Sequence, residues 1–141
     1  MDKDNSAELA DMVSKSSEIL FSAETVFPFT LFPDTINIDR EKVSIAKRPF
    51  FRIARIVSFR IEDTLGVEAD VGPFFGSIIV TSRFYDNKPF KVNFLRRRDA
   101  MFIKRLLQGF IVAEHRKIDC SHMDKEMLVG ILYNLGLDVS D

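Results

Sequence analysis

Apolar residues in this chain recur with two different periods, and the change between them outlines the fold. Over residues 6–21, Leu9, Met12, Val13, Ile19 and Leu20 approximate a helical spacing, with Asp4 or Asn5 placed to cap the start. From Thr25 the spacing shortens to two. Val26, Phe27 and Phe29 lead to the turn signal Pro33-Asp34. Ile36 and Ile38 then alternate, and Val43 and Ile45 resume the pattern after a polar turn at Asp39–Lys42. Lys47-Arg48-Pro49 is expected to break that strand, because proline cannot donate to a ladder. Ile53–Ile61 is the next run, and its mixed face calls for a β-bulge near Arg55. Leu65, Val67, Ala69 and Val71 alternate as far as Gly72-Pro73; Ser77–Phe84 follows, and then Phe90, Val92 and Phe94. The pattern therefore predicts seven short strands within residues 25–96.

The helical period then returns. Asp99 stands where an N-cap belongs, ahead of a helix over 99–114 with Ile103, Leu106, Leu107, Phe110 and Ile111 as its apolar stripe. Ile103, Leu107 and Phe110 are expected to be buried on the strands, and Gly109 is expected to weaken the helix slightly while allowing close packing. A final helix is expected from Ser121, with Asp124 in a capping-box-like position and Gly136 as its C′ stop. Its face would present Met123, Met127, Leu128, Ile131, Leu132 and Leu135. An amphipathic helix of that length is marginal alone, so docking on the β-domain through Met123, Met127, Ile131 and Leu135 is expected.

Three stretches, in this order, resemble bacterial pleckstrin-homology (PH)-like domains. FPDTINIDREKVSI resembles their opening hairpin. SFRIEDTLGVEADVGPFFGSIIVTSRF and FKVNFLRRRDAMFIKRLLQGFI resemble their later strands and closing helix. The resemblance spans roughly residues 24–115. It implies a mainly β, α+β fold: a seven-stranded antiparallel bent sandwich or partly open barrel capped by a C-terminal helix. The corresponding division is a helical extension at 1–24, a β-domain at 25–117 and a second helical extension at 118–141. Relatives of this kind bind phosphoinositide headgroups, peptides or other proteins. Lipid-binding members carry several basic residues in the first strand–turn–strand. Here Phe32-Pro33-Asp34 and Asp39-Arg40-Glu41-Lys42 are weakly basic at best, which turns the expectation towards a protein or peptide partner.

Composition adds bounds. The 141 residues suit one domain with appended helices, and 46% of them are hydrophobic. There are 14 Phe but only 2 Tyr and no Trp, so most rings are expected in the core. The single cysteine excludes an internal disulfide; with no N-terminal signal segment, a reducing cytoplasm is expected, at most peripheral to a membrane. Net charge is −1, yet it is segregated. Residues 1–24, 61–87 and 118–141 each carry net −4, whereas 25–60 carry +4 and 88–117 carry +7.

The basic charge supplies one candidate surface. Lys47, Arg48, Arg52, Arg55 and Arg60 lie on one turn and the strand after it. Arg96, Arg97 and Arg98 lie at the strand–helix junction, with Lys104 and Arg105 further along. Together they read as an anion- or partner-binding face, or as an ordinary solvated face neutralised by the acidic ends. Arg52, Arg60, Arg96 and Arg98 are expected to be exposed and close enough to share a polyanion. Phe74 and Phe75 sit at a hairpin tip, as a docking wedge or folded back on the core.

No catalytic constellation, metal signature or phosphate loop stands out. Cys120 and His122, with His115 nearby, supply too few ligands for a zinc site and no aligned base for a nucleophile. No cofactor is expected. Phe50-Phe51-Arg52 and Phe90–Phe94 interleave rings with positive charge, but their alternation points the rings at a buried face. With a pI near 6.1, nucleic acid is not an expected partner. The expected function is non-catalytic binding or scaffolding for a protein or peptide. The alternative is association with an anionic membrane surface or phosphorylated ligand, and the oligomeric state is left open.

Overall fold

Strands with one apolar face must bury it, and here two small sheets do so against each other and one helix. The computed structural model describes residues 18–27, 32–50, 53–84 and 88–139. Strands β1 (Phe21–Glu24), β2 (Thr35–Ile38), β3 (Lys42–Phe50) and β4 (Ile53–Arg60) form an antiparallel sheet in chain order. Strands β5 (Thr64–Val71), β6 (Phe75–Ser82) and β7 (Phe90–Arg96) form a second. Helices α1 (Arg97–His115) and α2 (Lys125–Val139) follow. The fold is α+β with two open sheets rather than a closed barrel.

The core is continuous across these elements. Ile36, Ile38, Val43 and Ile45 from the first sheet join Ile78, Val80, Val92 and Leu95 from the second. Phe59 on β4 stacks on Phe90 of β7, with centroids 5.3 Å apart, and so bridges the sheets. Two polar ties also cross between them. Val26 N–H donates to the Phe94 carbonyl at 2.8 Å, and Lys47 Nζ donates to the Lys91 carbonyl at 3.1 Å. α1 lies mainly on β5 and β6 and buries Ala100, Ile103, Leu106, Leu107 and Phe110, as its stripe predicts. α2 packs on α1, burying Leu128 and Leu132.

Several sequence expectations are displaced. Among the described residues the first strand is Phe21–Glu24, and Val26 and Phe27 lie beyond its end. It pairs with β2 in the register Phe21↔Ile38 to Glu24↔Thr35, inside the span expected to be helical to residue 21 and accessory to 24. The rest of that expected helix, residues 6–17, lies outside the described residues, as does Phe29. Pro49 does not end β3, which continues to Phe50. Lys47 pairs with Arg55 and Phe50 with Ile53, so β3 carries one extra residue there. The expected irregularity is thus on the strand opposite Arg55, where a bulge admits proline without breaking the sheet.

Helix ends shift for local reasons. Arg96 is the residue before α1, and Asp99 lies within the first turn, where its charge complements the helix dipole. α2 starts at Lys125 rather than Ser121. Asp124 Oδ1 accepts the Met127 N–H at 3.0 Å, the bond an N-cap makes. Ser121 instead donates its hydroxyl and N–H to Asp119 Oδ1, at 2.6 and 3.0 Å. Asp124→Ala should therefore lower stability by about 0.5–2 kcal/mol, whereas Ser121→Ala should change it by less than about 0.5 kcal/mol. Urea melts of the two variants compare these directly.

Gly136 lies inside α2 rather than after it. A Cβ on it would overlap the Arg105 carbonyl, and a Cβ on Gly109 would overlap the Leu132 carbonyl. The two glycines thus bring the helix backbones together at both points. This close approach selects the buried face of α2, so Leu128 and Leu132 are sealed while Met127 stays 58% exposed. Docking of the last helix on the β-domain holds, with α1 as the surface met; the contact through Met127 does not.

Candidate functional site

The basic residues separate into groups. Arg55 pairs with Lys47 near one end of the β3–β4 ladder, and Arg60 pairs with Lys42 at the other. Arg48 is exposed, and its N–H donates to Asp34 Oδ1 at 3.0 Å. Arg60 Nη1 is 3.1 Å from Glu62, and both side chains are largely exposed. Arg60 shares a cavity with Phe110 and Glu114 near the C-terminal end of α1. Arg96, Arg97 and Arg98 are exposed at the other end of that helix, which is about 28 Å long for 19 residues at 1.5 Å each. Arg60 and the arginine triplet therefore flank opposite helix ends instead of sharing one site. Arg52 lies outside the described residues.

The arginine triplet does meet the phenylalanine pair. Arg97 N–H donates to the Phe74 carbonyl at 3.3 Å, and Phe75 pairs with Arg96. Phe74 is 77% exposed at the β5–β6 tip. Phe75 is half-buried and meets Phe94 edge-on, with centroids 6.3 Å apart. Phe94 was expected to point inward with Phe90 and Val92. Instead β7 carries an extra residue between the pairs Ile78↔Val92 and Gly76↔Leu95. Phe94 takes φ 61°, Leu95 takes the buried place, and the Phe94 ring turns out to 42% exposure. Phe27, 66% exposed, lines a cleft with Arg96, Glu24 and Asp99. Sequence alternation alone missed Phe27 and Phe94, because neither the bulge nor the crossing of the sheets is encoded in a period of two.

A second surface lies along β5. This strand is an edge of its sheet. Ala69 and Val71 on β5 and Met101, Lys104 and Gln108 on α1 line a groove of about 210 Å³ between them. Val71 and Met101 are each 40% exposed. Arg105, which also lines the groove, is engaged elsewhere: its Nη1 donates to the Tyr133 hydroxyl and its guanidinium lies 4.5 Å from that ring's centroid. Lys104 is thus the groove's available positive charge.

No protein-family model matches this chain, and no curated protein matches its sequence. Burial pushes the Cys120 thiol above its ordinary value, with Asp119 adding to the shift and Arg40 opposing it. That disfavours the thiolate, the reactive form. Arg40 itself is 8% exposed and donates from Nη1 to the Cys120 carbonyl at 3.3 Å, pinning the link between the helices to the β2–β3 turn. Hydrogen bonds from Ser121 hold the Asp119 carboxyl below the usual carboxylate range. Among the described residues, no group of three or more His, Cys, Asp or Glu could hold a metal ion. No helix among them is long and apolar enough to cross a membrane.

Proposed function

We propose that this chain is a non-catalytic binding module of the PH-like kind, taking an extended protein or peptide segment along the β5 edge of the second sheet. The observation that carries the reading is an edge strand beside a groove shared with α1. An edge strand offers unpaired backbone donors and acceptors, which an added strand can satisfy. Ala69, Val71 and Met101 offer apolar contact beside that edge, and Lys104 adds one positive charge. Four strands, then three, then a helix is the order that favours the PH-like build. A single, partly buried cysteine suits a reducing cytoplasm.

Panning the whole chain against random peptides displayed on phage tests this reading. Selected peptides should slow amide exchange along Thr64–Val71. Met101→Lys should weaken them by about tenfold, the loss of one buried apolar side chain. Peptides that bind while leaving β5 exchange unchanged would remove this edge from consideration.

A further inference from the structure

We propose that the cleft between β1 and the start of α1 binds a free basic α-amino acid of the arginine kind. Arg96 takes the ligand carboxylate, Glu24 and Asp99 take its two cationic ends, and Phe27 covers its side chain. The site shares no residue with the β5 groove and does not rest on the peptide reading.

The cleft encloses about 620 Å³, larger than the groove along β5. Small-molecule sites commonly fall in the range of about 300–1,000 Å³. One side is β1 and the chain that leaves it, as far as Phe27, with Pro33 alongside; the other is Arg96 and Asp99. The first side is pinned twice. Thr25 N–H donates to the Asp34 carbonyl at 2.9 Å, and the Thr25 hydroxyl accepts the Asp34 N–H at 2.8 Å. Val26 N–H donates to the Phe94 carbonyl, which ties this side to the strand leading into α1. Ala23 and Thr25 are buried between these ties. A cleft fixed in this way needs little ordering when a ligand enters.

Charge selects the ligand. Glu24 and Arg96 are exposed and Asp99 is half-buried. No hydrogen bond or salt bridge engages any of these three side chains among the described residues. Opposite charges lining one cleft ordinarily gain by pairing. Here they sit on separate stretches of backbone, in β1, at the end of β7 and in the first turn of α1, and do not pair. A ligand with the complementary charges engages all three together. The cleft offers two carboxylates and one guanidinium. A free basic amino acid offers one carboxylate, an α-ammonium and a second cation on its side chain. Polyamines lack the negative group that Arg96 calls for, and an apolar amino acid leaves one carboxylate unanswered. Carboxylate on guanidinium is a bidentate, charge-assisted pair. Phe27, 66% exposed at the rim, presents a ring on which a planar guanidinium can lie.

The full chain titrated with L-arginine tests this in proton–nitrogen correlation spectra. Saturable shifts should appear in the amides of Glu24–Phe27 and Arg96–Asp99. Citrulline has the same length without the side-chain charge, and agmatine is arginine without the carboxylate. Each should bind at least about fivefold more weakly than L-arginine. D-arginine should also bind more weakly, because three fixed contacts distinguish mirror images. Arg96→Ala should weaken L-arginine at least about fivefold while leaving agmatine unchanged. Glu24→Gln should weaken both, and Phe27→Ala should weaken both by about two- to fivefold. Added salt should weaken the wild type. Glu24, Phe27 and Arg96 are exposed, so these variants should fold, and circular dichroism checks that they do.

Absence of saturable shifts at these amides in the folded wild type overturns the proposal. So does binding of citrulline or D-arginine as tight as that of L-arginine. An equal loss of L-arginine and agmatine in Arg96→Ala also overturns it, because Arg96 would then not be meeting a carboxylate. None of these failures touches the β5 groove, which is read by peptides and by exchange along β5.

Discussion

Leu107→Ala should lower the free energy of unfolding by about 2–5 kcal/mol, the range for deleting most of a large core side chain. Leu107 is fully buried on α1 and belongs to the cluster that includes both sheets and α2. Its removal leaves a cavity that neighbours from several elements would have to fill together. Typical domains hold only about 5–15 kcal/mol in total, so the shift in a urea melt should be large. A midpoint unchanged from the wild type would mean that α1 does not pack on the sheets in solution.

Substituting alanine for glycine in helices should give opposite results at different positions. Alanine favours an exposed helix over glycine by about 1 kcal/mol. Gly130 is exposed on α2, and a Cβ there would meet nothing within 4 Å, so Gly130→Ala should stabilise. Gly109→Ala and Gly136→Ala should each destabilise by about 1–3 kcal/mol, the scale of overpacking. At Gly109 the new Cβ would lie 2.8 Å from Leu132 Cα, and at Gly136 it would lie 3.0 Å from Arg105 Cα. Backbone cannot rotate aside as a side chain can, so the helices must separate. Denaturant melts of the three variants read the sign directly. Stabilisation by all three would refute the close crossing of α1 and α2.

How much of this was legible in the residues depended on what each feature rests on. Strands of the middle and later chain follow from alternation, because one face of each meets the core. Ile36 and Ile38, or Ile78 and Val80, are sealed as their spacing requires. β1 was missed because Phe21–Glu24 is four residues long and follows Ile19-Leu20, which prolong a helical stripe. Its strand character comes from pairing with β2, a contact between distant residues rather than a local period. Gly136 was read as a helix stop because a glycine near a helix end usually frees the backbone to turn. Its role here depends on the approach of Arg105, thirty-one positions earlier.

The same limit applies to the surfaces. Charge blocks told how much basic character the chain carries, but only strand register and the length of α1 separate Arg60 from Arg96–Arg98. The meeting of Phe74 with Arg97 follows from a hairpin tip touching a strand–helix junction. The β5 groove was invisible in the sequence, since Val71 reads as one more core residue and Met101 as one more helical position. Each becomes notable only because the edge of the sheet leaves it 40% exposed.

The positive φ of Phe94 also sets stability against surface chemistry. A bulky residue in left-handed backbone is held at a cost of about 1–3 kcal/mol by its surroundings. Glycine would occupy the same backbone without that strain, while removing the ring that touches Phe75. Selection for a sturdier fold and selection for an aromatic surface would therefore pull this one position in opposite directions. A collection of stabilised variants would be expected to find glycine there, and to lose ring area from the exposed end each time it did.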